Sequence, residues 1–91
     1  MLWVSGDFHF ASIGRVGPNA SALGGTQTEI LVGPGAQTGN PGYLLCRPPQ
    51  FDWASTTNNY TTLELEPMRR RARVEWHDRD GSVVRSAEVD L

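Results

Sequence analysis

Asp7 and His9, two residues apart, are the pair in this sequence best suited to do chemistry. A carboxylate and an imidazole that converge at the end of a buried strand make good ligands for a divalent metal. They serve equally as a general acid–base pair. On extended backbone a spacing of two sends both side chains to the same side. Gly6 just before them permits a sharp turn into the pair. The residues alone leave a second reading open, in which Asp7 caps a turn and His9 sits on a half-exposed strand, because so short a motif recurs by chance.

Other reactive side chains have plainer roles. Cys46 is the single cysteine, so an internal disulfide is excluded and the thiol reads as a small buried hydrophobe. His77 has no ligand partner at motif spacing and reads as a solvated residue on the polar side of a strand. Arg69-Arg70-Arg71 reads as a solvated turn rather than an anion site. Phe51 and Trp53 read as a wall over a cleft or as pins holding a loop to the core. Asn58 and Asn59 read as turn formers before a strand. Asn19-Ala20-Ser21 and Asn59-Tyr60-Thr61 fit the N-glycosylation pattern.

The elements that must position Asp7 and His9 are strands. Leu2-Trp3-Val4 is an apolar run of the kind found in a strand buried on both faces. Ala11–Val16 reads as a second strand after a bend, Gly17–Gly25 as a loop, and Thr28–Val32 as a further buried strand that stops at Gly33-Pro34-Gly35. The segment 36–59 reads as one long loop, because its prolines and glycines oppose regular structure. Its apolar residues, Tyr43, Leu44, Leu45, Phe51 and Trp53, predict that it packs over the core. Residues 60–91 predict three antiparallel strands. In the first, Leu63 and Leu65 share the buried face; in the second, Ala72, Val74 and Trp76 do. Asp80-Gly81 predicts a two-residue hairpin, and Val83, Ala87, Val89 and Leu91 the buried face of the last strand. The fold expected is mainly β, antiparallel, with long loops and no long helix.

Composition narrows the function classes. Ninety-one residues make one domain or part of one, with a small core. A formal net charge of −2 lacks the basic excess of a nucleic-acid-binding surface. No run approaches the ~20 apolar residues of a membrane span, and no signal peptide is recognisable, so localisation stays unknown. The chain opens directly on an apolar strand with nothing to pair it. That opening predicts a C-terminal piece of a domain whose N-terminal part carries the neighbouring strands.

The stretch Leu2-Trp3-Val4-Ser5-Gly6-Asp7-Phe8-His9-Phe10 resembles the closing motif of the PhoD-type alkaline phosphatases, within the calcineurin-like metallophosphoesterases. There a hydrophobic strand ends in G-D-x-H, where other members carry G-H-x-H. Thr28–Gly35 is similar to the strand that follows in that family. Asn58–Leu65, Arg73–Trp76 and Asp80-Gly81 are similar to its C-terminal hairpin region.

The resemblance implies the C-terminal portion of a four-layer α/β/β/α metallophosphoesterase sandwich. Residues 1–35 would hold the metal-motif strand and its successor, 36–59 a long loop, and 60–91 the antiparallel strands. It implies a phosphate-ester substrate, hydrolysed by a water activated between two divalent or mixed-valence metal ions (Fe, Ca, Mn or Zn). Asp7 becomes a metal ligand, and His9 a metal ligand or a catalytic group that hydrogen-bonds the phosphate. Family members are often exported. The family's other ligand motifs, D-x-x-Y or D-x-H, G-D and G-N-H-[DE], are not matched in this chain, and Asp52, Asp78, Asp80 and Asp90 do not stand in for them. Two ligands cannot fix two metal ions, so the chain is expected to be inactive without the N-terminal part of the domain. The alternative, from the antiparallel strands and the aromatic loop, is a non-catalytic β-sandwich that binds a partner.

Overall fold

A computed structural model describes residues 1–42 and 50–91. Tyr43, Leu44, Leu45 and Cys46, singled out from the sequence, lie outside the described residues. Along the chain run β1 (Leu2–Ser5), β2 (Ala11–Arg15), β3 (Thr28–Leu31), β4 (Phe51–Ser55), β5 (Asn59–Glu66), β6 (Arg71–Asp78) and β7 (Val83–Asp90), with a 3-10 turn at Pro67–Arg69. The protein is mainly β, as its pattern of alternating residues predicts. No helix among the described residues is long and apolar enough to cross a membrane.

The strands form two sheets, in the order β1-β3-β2-β4 and β5-β6-β7. All pairings are antiparallel except β1 with β3, which run parallel with Leu2 beside Thr28 and Ser5 beside Leu31. The sheets share a core in which Ala11, Ile13 and Ile30 of the first meet Val74, Trp76 and Val89 of the second. Trp76 is wholly buried. Its ring lies 5.0 Å from that of Trp53, and its Nε1 donates to the Leu31 carbonyl at 3.4 Å. Burying so large a ring supplies much of the apolar area that joins the two layers.

Several expectations are corrected. The single loop over 36–59 is interrupted by β4, because Phe51 and Trp53 bind it to the first sheet: Phe51 rests on Phe10 at 5.9 Å and Trp53 pairs with Ile13. Leu63 and Leu65 share the inner face with their partners Val74 and Ala72, yet they stay 41% and 56% exposed because the first sheet does not reach over them. The β6–β7 loop is longer than two residues. The Asp78 amide donates to Ser82 and the Gly81 amide to Asp78, with Gly81 at φ 85°. This is the pattern of a three-residue loop closed by a left-handed glycine.

A bulge between Trp76 and His77 also shifts the register of β7, placing Trp76 opposite Arg85 and His77 opposite Val83. The extra residue reverses the side-chain alternation, so Val83 leaves the buried face and is exposed. His77 is not solvated as expected. It stacks on Tyr60 with centroids 4.8 Å apart and rings 2° from parallel, and its side chain is 13% exposed. Its Nδ1 lies 3.3 Å from the Gly81 carbonyl and its Nε2 3.3 Å from Thr62 Oγ1, so the ring ties the hairpin loop to β5.

Candidate functional site

Strand directions decide which loops meet. β1 and β3 run parallel and finish at Ser5 and Leu31. β2, antiparallel to both, begins at Ala11, and β4, antiparallel to β2, finishes at Ser55 opposite Ala11. The chain then crosses to the second sheet in three residues, 56–58, and the Asn59 amide donates to the Pro34 carbonyl at 3.1 Å. β6 ends at Asp78 beside Asn59. One end of the two-layer structure therefore collects residues 6–10, Gly33-Pro34-Gly35, residues 56–58 and the loop 79–82.

Asp7 and His9 lie in this cluster, beyond the last residue of β1. Both have left-handed backbone, with φ of 71° and 60°. The expectation of an extended strand end carrying both side chains to one side is therefore corrected: the segment coils at each of the two residues. Asp7 is exposed and His9 half-buried. The turn is anchored on both sides of the pair. The Val32 amide donates to the Ser5 carbonyl at 3.0 Å, and the Asn40 amide to the His9 carbonyl at 2.8 Å. Phe10 is buried and leans on Phe51. Phe8, between Asp7 and His9, is exposed. No hydrogen bond or ion pair to another described side chain engages the Asp7 carboxylate or the His9 ring. Left-handed backbone at a non-glycine residue costs free energy, and such residues concentrate at sites where geometry serves function.

Among the described residues no group of three or more His, Cys, Asp or Glu side chains is arranged to hold a metal ion. Asp7 and His9 offer one hard oxygen donor and one imidazole, a suitable but partial donor set. Two divalent ions need several further ligands, so these residues alone do not fit a binuclear centre.

At the same end a pocket of about 170 Å³ opens between β4 and the β6–β7 hairpin. Trp53 and Val84 form its apolar walls, and Ser55, Thr57, Asn58, Asn59 and Asp78 its polar ones. The β7 bulge accounts for Val84 being there, since it turns that residue inward beside Trp53. Sequence reasoning had Trp53 as wall or pin, and it is both. It had Asn58 and Asn59 as turn formers. Asn58 does this work through Nδ2, which donates to the Gly35 and Gln37 carbonyls at 3.2 and 3.3 Å. Asn59 is only 5% exposed, which removes it as an accessible glycosylation site in the folded chain. Ser55, Thr57, Asp78 and Val84 were not foreseen, and no motif marks them.

The arginine run behaves as the sequence suggests. Arg69 lies 3.3 Å from Glu66, and Arg71 3.3 Å from Glu88 and 3.7 Å from Asp90, all substantially exposed. Arg69 and Arg71 thus each have an acidic neighbour, which offsets part of the charge of the run.

No family model, no curated protein and no solved structure matches this chain.

Proposed function

We propose that the chain is the C-terminal segment of a binuclear-metal phosphoesterase domain, a four-layer sandwich of the PhoD type, and that it contributes Asp7 as a metal ligand and His9 as a second ligand or a hydrogen-bond donor to the phosphate. The observation that carries this reading is the pair of left-handed residues, Asp7 and His9, in a Gly-Asp-Phe-His turn just past the C-terminal end of β1. Two left-handed residues separated by one other are uncommon in a short turn, and such backbone concentrates at functional sites. The open edge of β1 adds support. Among the described residues β1 pairs only with β3, and Trp3 and Val4 are half-exposed on its two faces. A continuing sheet would cover both residues and bring further ligands toward Asp7.

Phosphate-ester hydrolysis is the activity expected of the complete domain. The metals, when bound, would supply the activated water and neutralise charge on the phosphoryl oxygens. The chain alone is expected to be inactive, for want of ligands.

A second reading, a non-catalytic β-sandwich that binds a small ligand or partner, is favoured by the pocket beside Trp53 and by the lack of a third ligand near Asp7 among the described residues.

The test uses the intact domain that contains this chain. Metal content is measured by elemental analysis and activity on a chromogenic phosphate ester, for the parent and for Asp7→Asn, His9→Ala and His77→Ala. Asp7→Asn keeps the shape but removes the charge that balances a divalent cation. It is expected to lose metal and to lower kcat by about 10²–10³-fold, the scale of losing one electrostatic partner. His9→Ala should lower kcat more than it raises KM, and His77→Ala should leave both near normal. Full metal content and normal turnover in Asp7→Asn would overturn the phosphoesterase reading in favour of the binding module.

A further inference from the structure

The pocket beside Trp53 holds an unusual set of polar atoms. Asn59 is almost wholly buried, and its Nδ2 donates to the Thr57 carbonyl at 2.7 Å. That bond fixes the orientation of the carboxamide, since the reversed form would set two oxygens against each other. The Asn59 Oδ1 is then left buried with no hydrogen-bond partner among the described residues. An unsatisfied buried acceptor is costly, and this one adds negative potential behind the pocket wall without being open to the pocket itself.

The neighbouring groups point the same way. Asp78 spends Oδ1 on the amides of Asp80 and Ser82, both at 2.9 Å. Its other oxygen takes no hydrogen bond from a described residue. Asn58 commits its Nδ2 to the Gly35 and Gln37 carbonyls, which leaves its Oδ1 over. The donors of both amides are thus used within the fold and their acceptors are not. The pocket lining contains a carboxylate and an indole but no lysine, arginine or histidine. A phosphate or a carboxylate would meet negative charge and surplus acceptors there. A protonated amine offers three donors and no acceptor, a charge that complements Asp78, and a cation for the face of Trp53.

We propose that this pocket is a binding site for a small primary ammonium group on a short carbon stem, held by Asn58 Oδ1 and the free oxygen of Asp78, with Trp53 and Val84 lining the stem. The volume of about 170 Å³ falls below the ~300–1,000 Å³ of pockets for drug-sized ligands. The site stands whether or not Asp7 and His9 bind metal, since none of its groups is shared with them.

The experiment is a titration of the ¹⁵N-labelled chain followed by NMR, reading the side-chain amides of Asn58 and Asn59 and the Trp53 indole. Ethanolamine hydrochloride is the probe. Glycerol at equal concentration serves as its neutral counterpart, inorganic phosphate as the anion, and sodium chloride matches ionic strength. Ethanolamine is expected to give saturable shifts at these three residues, with glycerol and phosphate at least about 10-fold weaker, a difference of ~1.4 kcal/mol. Asp78→Asn retains an oxygen for the Asp80 and Ser82 amides and should weaken ethanolamine at least 10-fold. Val84→Phe fills the pocket without changing charge and should abolish the shifts while the Trp76 indole signal stays in place. Absent or unsaturable shifts with ethanolamine, equal binding of glycerol, preferential binding of phosphate, or shifts that persist in both variants would each overturn the proposal.

Discussion

The carboxamide of Asn59 lies flat against the α-carbon of Gly33, where a β-carbon would overlap it. This close approach joins the end of β3 to the start of β5, beside the hydrogen bond from the Asn59 amide to Pro34. Only glycine leaves that space open. Gly33→Ala should therefore destabilise the fold by about 1–3 kcal/mol, the usual cost of overpacking. In urea denaturation the loss should shrink in the double variant Gly33→Ala/Asn59→Ser, where the shorter side chain makes room. Equal losses with and without the second change would show that the contact is not what constrains Gly33.

Trp76 should be the most costly residue of the core to remove. Trp76→Ala is expected to cost about 3–5 kcal/mol, as for other buried aromatics cut to alanine. Trp76→Phe should cost markedly less, since it keeps most of the ring contact with Trp53 and gives up only a long, weak hydrogen bond to Leu31. Denaturant midpoints with unchanged slopes provide the measurement.

The left-handed backbone at Asp7 and His9 makes a separable prediction. An L-residue in that region costs about 1–2 kcal/mol relative to right-handed backbone. Glycine avoids that cost but gives up about 0.5–1 kcal/mol through its freer unfolded chain. Asp7→Gly and His9→Gly should then leave stability unchanged or raise it by up to about 1.5 kcal/mol. Under the proposed function the same substitutions abolish metal retention by the intact domain. Clear destabilisation by both would argue that the two side chains serve the fold.

The stack of His77 on Tyr60 should contribute about 0.5–1.5 kcal/mol, the range for aromatic pairs. A double-mutant cycle with His77→Ala and Tyr60→Ala measures it, and an interaction energy near zero would count against the stack. Either variant should loosen the loop 79–82, because His77 Nδ1 reaches the Gly81 carbonyl.

Val4→Lys tests the open edge of β1. A lysine on an edge strand discourages pairing with another chain. Self-association of the isolated chain, read by sedimentation, should fall in this variant. If the parent chain is strictly monomeric at tens of micromolar, the edge is not adhesive.

How far the sequence spoke for itself depended on the range of the interactions involved. β6 was plain because Ala72, Val74 and Trp76 alternate cleanly and all three are buried. β1 and β3 were legible as apolar runs, but the burial expected on both faces of β1 is not found: Ile30 and Leu31 of β3 are buried, whereas Trp3 and Val4 of β1 are half-exposed. β4 was hidden: Phe51 and Trp53 sit in a stretch dense in proline, and their partners Phe10 and Ile13 lie some forty positions upstream. The exposure of Leu63 and Leu65 was equally hidden, because alternation tells which side of a sheet a residue takes and says nothing of how far the opposing layer extends. For the site, Asp7 and His9 stood out by type and spacing. Their left-handed backbone did not, and neither did the pocket, whose walls come from three separate stretches of the chain and whose Val84 depends on a bulge.

The two sheets also differ in how far apart in the chain their partners lie. Among the described residues β5, β6 and β7 pair only with their immediate neighbours in sequence, through a 3-10 turn and a tight loop. β1 must find β3 across 26 positions, from Leu2 to Thr28, with β2 formed on the far side of β3. Short closures cost less entropy and form sooner. The meander of residues 59–90 is therefore expected to act as the nucleus, with φ-values near the upper range at Val74 and low values at Val4. The turn that carries Asp7 and His9 would be among the last parts of the chain to order, and it would be the first to open in native-state hydrogen exchange.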